Sequence, residues 1–128
     1  MSTATLAASF AGVPASVARA RRFVAAMLAG DHGDLCDAAA LVVSELASNA
    51  VSHCAKDFTV AIDDGTDVVR VTVTDEGPGR PVIRRPSPTE LHGRGLQIVR
   101  ELSDAWGVEL RPDRRGKAVW FELRDRTP

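Results

Sequence analysis

Cysteine is scarce in this chain. Its two cysteines, Cys36 and Cys54, form no CxxC pair, and the three histidines, His32, His53 and His92, are not spaced as metal ligands. That argues against a zinc site and a disulfide scaffold. Both cysteines are expected as small core residues in a reducing compartment. Net charge is scarce too: 16 basic against 17 acidic residues leave −1, with no global pull toward nucleic acid or an anionic membrane. Arg111, Arg114, Arg115, Arg124 and Arg126 are interrupted by Asp113, Glu122 and Asp125, and no aromatic stacking platform accompanies them. They are expected as a solvated charged face, so direct nucleic-acid binding is not expected. No segment approaches the apolar length that spans a bilayer. Residues 1–10 lack the basic start and long apolar stretch of a secretory signal. A cytoplasmic protein without membrane contact is expected.

What remains is an ordinary globular composition. The 128 residues are 45% hydrophobic and 26% charged, which suits one domain spanning 1–128 with a real core. Residues 6–10 read as a short strand ended by Gly12-Val13-Pro14. From Ala15 the apolar residues Val17, Ala20, Val24, Met27 and Leu28 recur at helical steps, with Arg19, Arg21 and Arg22 elsewhere, in water. Gly30-Asp31-His32-Gly33 stops that helix, and Asp34 is expected to cap a second one over 35–53. Phe58, Val60 and Ile62 then alternate, Asp63-Asp64-Gly65-Thr66 is a hairpin turn, and Val69, Val71 and Val73 share one face. Residues 80–92, with Pro81, Pro86 and Pro88, form a loop long enough to serve as a lid. A helix is expected over 95–103 with Leu96, Val99 and Leu102 inward, followed by strands over 106–110 and 118–123. The sum is α+β in two layers, a mixed, mostly antiparallel sheet covered on one face by helices.

Four segments carry chemistry. Glu45 and Asn49 lie four apart on the second helix, so they project from one face. An amide oxygen suits a hard cation such as Mg²⁺, which prefers few protein ligands, and the carboxylate beside it can take a proton from an attacking hydroxyl. The polar stripe continues through Ser52 and His53, and His53 is counted with the cofactor-lining residues. Asp75 continues the inward series of Val69, Val71 and Val73, so its carboxylate falls on the core face and needs a donor. The amino group of adenine is a suitable one, and Gly77 and Gly79 would let the backbone approach the ring. Gly93-Arg94-Gly95-Leu96 stands at a helix start, where free N–H groups bind phosphate oxygens and Arg94 can add charge. Gly116-Lys117 completes the set, although a hairpin turn alone explains it.

The set, in this order, resembles the GHKL ATPase superfamily, and within it the bacterial anti-sigma-factor serine kinases. The likeness runs from the first helix to Leu123. It implies a Bergerat-type ATP-binding fold with ATP between sheet and lid. It assigns Asn49 to Mg²⁺, Asp75 to adenine, and Gly77, Gly79, Gly93 and Gly95 to the nucleotide cradle. In the serine-kinase branch Glu45 is the catalytic base. Arg84 and Arg85 are the basic residues in the lid for a γ-phosphate contact. The Gly-Lys strand brings Lys117 to the cofactor. At 128 residues there is no room for a histidine-kinase dimerisation hairpin or for a transducer domain, so the stand-alone branch is expected.

Two functions follow from that likeness. The first is an anti-sigma factor with serine/threonine kinase activity toward an anti-anti-sigma partner. The alternative is a non-catalytic, nucleotide-gated module that sequesters a sigma factor or another regulator. A homodimer is compatible with either. The presence of Glu45 favours the kinase, since a pure ATP sensor needs no base beside its magnesium ligand.

Overall fold

The computed structural model describes residues 4–54, 57–75, 95–111 and 116–126. Strand β1 (Ala4–Phe10) leads into helix α1 (Ala15–Leu28), which Pro14 precedes. Proline suits that place because its fixed φ fits the first turn and no N–H is wasted. Ala20, Val24 and Leu28, at steps of four, are fully buried. Met27 is 38% exposed, against expectation: it lies in the last turn, where Leu28 closes the buried stripe.

A 3-10 turn (Gly33–Leu35) then opens α2 (Cys36–Cys54), so Asp34 lies inside that turn and the α-helix starts after it. Ala39, Val42, Val43, Leu46, Ala47 and Ala50 of α2 face the core. The alanines among them let α1 and α2 pack closely against each other. The run Gly33–Ser52 is, by length and composition, apolar enough to cross a membrane. That overturns the expectation that no segment reaches such a length. Here its buried residues belong to the common core, and core helices of globular domains reach the same length and apolarity.

Strands β2 (Phe58–Asp64) and β3 (Val68–Asp75) form the expected hairpin. Gly65 N–H donates to the Val68 carbonyl at 3.1 Å. A Cβ on Gly65 would sit 2.7 Å from that carbonyl oxygen, so this reversal requires glycine. After α3 (Gly95–Leu102) come β4 (Ala105–Arg111) and β5 (Gly116–Arg124). Leu102, expected inward, is 38% exposed because it ends α3, while Val99 one turn earlier is fully buried.

The five strands make one sheet in the order β1-β2-β3-β5-β4. All four pairings are antiparallel, so the α+β class holds, and no parallel pair occurs among the described strands. Strand β5 inserts between β3 and β4, which brings Phe121 opposite both Val71 and Trp106. One face, carrying Val60, Val71 and Phe121, packs with the buried residues of α1, α2 and α3. The other face carries Arg70, stacked 4.0 Å over the Trp120 ring and paired with Glu122 at 2.9 Å. A Cβ at Gly107 would come within 2.7 Å of that indole.

Candidate functional site

The end of the sheet that matters is where Phe58 pairs with Asp75. Three residues separate Cys54 from Phe58, so the C-terminal end of α2 is tethered to this same end. Helix α2 also packs against β3 and α3. Glu45 and Asn49 project from α2 one turn apart, and both are half-buried. Among the described residues, Asn49 Nδ2 is buried without a hydrogen-bond partner. An orphaned buried N–H donor is expensive, and it fits an acceptor that arrives with a ligand, such as a phosphate oxygen, while Oδ1 is the end that would hold a cation. Among the described residues no cluster of three or more His, Cys, Asp or Glu side chains could hold a metal ion. A cation at Asn49 would therefore take most of its ligands from phosphate and water, as Mg²⁺ does.

Asp75, the last residue of β3, is 7% exposed, as alternation along β3 predicts. Lys117 of β5 supplies donors to both of its oxygens. The Lys117 backbone N–H reaches Oδ1 at 3.4 Å and the ammonium lies 3.2 Å from Oδ2. The register explains the meeting: Asp75 and Lys117 fall one step past the Thr74↔Ala118 pair, in the row that Phe58 and Leu110 continue. Gly95, the first residue of α3, supplies the helix start expected to cradle phosphate.

A family model described as a histidine kinase-like ATPase domain matches residues 10–123. The chain belongs to that family. As a histidine kinase-like ATPase domain it is an ATP-binding domain of the GHKL superfamily, and its α+β sheet with helices on one face agrees. No curated protein matches the chain. ATP fits the residues this domain presents: a buried carboxylate for the base, an orphaned amide beside a second carboxylate, and a glycine at a helix start.

Several expected site residues of this ATPase domain lie outside the described part. They are Gly77, Gly79, Arg84, Arg85, Gly93 and Arg94, together with the lid over 80–92. His53 lies in α2 and Leu96 in α3, but their side chains are outside it as well. The described structure joins Asp75 to Lys117 and places Glu45 and Asn49 on one face of α2.

A second polar cluster stands at the opposite end of the sheet. His32, buried after α1, places Nδ1 2.5 Å from Asp125 Oδ2, and Nε2 2.8 Å from Asp64 Oδ1 and 3.1 Å from the Gly65 carbonyl. It borders a cleft of about 530 Å³ also lined by Asp31, Asp64, Asp67 and Asp125. Burial lowers the His32 pKa, but hydrogen bonds to Asp125 and Asp64 outweigh it, so it stands above its ordinary value. In the sequence His32 stands only in a helix stop. Its partners are 32 and 93 residues away, and no local pattern signals them.

Proposed function

We propose that this ATPase domain acts as a regulatory serine/threonine kinase of the anti-sigma type, in the cytoplasm. Its substrate would be a serine on a small anti-anti-sigma partner, with a sigma factor held or released accordingly. The observation that carries the reading is Glu45, one turn before Asn49 on α2 and half-buried beside it. A domain that only sensed nucleotide would need no carboxylate there.

The roles divide by chemistry. The Asn49 amide would hold the cation, Asp75 would accept the amino group of adenine, and the α3 start at Gly95 would bind phosphate oxygens. Gly77, Gly79 and Gly93 would complete the cradle, with Arg84, Arg85 and Arg94 supplying positive charge. Bound Mg-ATP supplies the phosphoryl group and the neutralisation of its leaving group. Glu45 would accept the proton of the serine hydroxyl as the serine oxygen bonds to the γ-phosphorus, the bond from that phosphorus to the β,γ-bridging oxygen breaks, and ADP leaves.

Transfer of label from γ-labelled ATP to a co-purified partner tests this directly. Glu45→Gln should lower transfer by roughly 10²–10⁴-fold while nucleotide affinity stays near native. Transfer that survives the substitution would remove Glu45 as the base. Absence of transfer, with ATP-dependent capture of the partner intact, would favour the sequestering module instead.

A further inference from the structure

The Asp75–Lys117 pair does more than balance a charge. Asp75 is buried at the place where the nucleotide reading, on which this inference rests, puts the amino group of the base. One of its oxygens already has an ammonium at 3.2 Å, and the other takes the N–H of the same residue. An ammonium is a stronger donor to carboxylate than a neutral aromatic amine, because both ends carry charge. The Lys117 side chain is 30% exposed, against 7% for that of Asp75. One end of the pair is therefore close to water, on a flexible four-carbon stem that can swing outward.

We propose that Lys117 is an internal occupant of the base-recognition carboxylate, and that a nucleotide enters by exchanging its base amine for the Lys117 ammonium. Lys117 then limits affinity, and it acts at the base end of the nucleotide, not at its phosphates. The backbone N–H of Lys117 stays on Asp75 during the exchange because β5 holds it. Only the side chain leaves, and its charge is rehydrated outside. Two consequences separate this from a phosphate-binding lysine. Loss of the ammonium should tighten binding, and the gain should not depend on how many phosphates the ligand carries.

The experiment measures Kd for AMP, ADP and ATP by calorimetry on the full chain, for the native protein and for Lys117→Met, Lys117→Gln and Lys117→Arg. The two neutral variants should bind all three ligands more tightly by one common factor, roughly 3- to 30-fold, the scale of a partly exposed charge-assisted bond. Lys117→Arg keeps the charge and should stay near native affinity. Two neutral variants guard against a local fault of either one, and far-ultraviolet dichroism with a melting curve checks that each is folded. Weaker binding that worsens from AMP to ATP would place Lys117 on the phosphates and overturn the proposal. Unchanged affinity in both neutral variants would overturn it as well. If no folded form, native included, binds any of the three ligands, the nucleotide reading itself falls and this proposal with it. Binding by the native protein without a gain in the variants sinks only the exchange.

Discussion

Asn49 presents a half-buried amide whose nitrogen has no hydrogen-bond partner among the described residues, and that isolation makes it a clean probe. Its removal breaks no described hydrogen bond of Nδ2, so Asn49→Ala should change stability by no more than about 1 kcal/mol. Mg-dependent ATP binding should be lost, because the amide oxygen of Asn49 is the group that would hold the cation. Calorimetry with and without Mg²⁺ reads the effect, and a native-like Mg-ATP affinity in the variant would take Asn49 out of the site. At this scale the sequence was informative where a local period governs. Asp75 could be placed inward from Val69, Val71 and Val73 because a strand alternates every residue. Its engagement by Lys117 could not, since it depends on β5 pairing with β3 across 42 residues of chain.

Elements show the same division. The stripes of α1 and α2 and the β2–β3 hairpin were legible from spacing, turn residues and a required glycine. Two departures fall at helix ends, where Met27 and Leu102 keep the period but the core has run out. The contact that ties the elements together, His32 with Asp64 and Asp125, was illegible. It joins the connection after α1 to the end of β2 and to the residue that follows β5. Both ring nitrogens face acceptors, and a neutral imidazole can donate from only one of them. The protonated ring is thus the form this arrangement holds, in keeping with its raised pKa. A folded value above the unfolded value near 6.5 means that protonation is favoured by folding. The stabilisation is complete below the unfolded value and is lost as pH rises through the folded one. Melting temperature should therefore fall as pH increases above about 6.5, within the range where the carboxylates stay ionised. His32→Gln should flatten that dependence and lower stability at pH 6. A native curve that is level from pH 6 to 9 would show that His32 gains no proton on folding.

The whole molecule is built on one sheet, and its strand β5, inserted between β3 and β4, serves two purposes. Near its start Lys117 reaches the candidate base site, and four residues later Phe121 fills the core with no exposure at all. Phe121 faces Val71 on one side and Trp106 on the other, so with Trp106, which also packs against the core, it joins β4 to the common core. Strand β5 pairs with β3, which is not the strand before it in the chain, and that crossover explains why the topology, unlike the class, is not readable from spacing. Phe121→Ala would remove a fully buried aromatic ring and leave a cavity that the surrounding strands cannot close. Such losses cost about 3–5 kcal/mol. For a domain of this size that corresponds to a drop of roughly 10–20 °C in melting temperature. Because Phe121 carries none of the proposed chemistry, ATP affinity per folded molecule should change less than stability does, provided it is measured well below the new midpoint. Denaturant unfolding and calorimetry on the same preparation separate the two. A loss of ATP affinity as large as the loss of stability would mean that the base site and the core of β5 are a single cooperative unit. A loss under 1 kcal/mol would mean that β5 is not the strand on which this core depends.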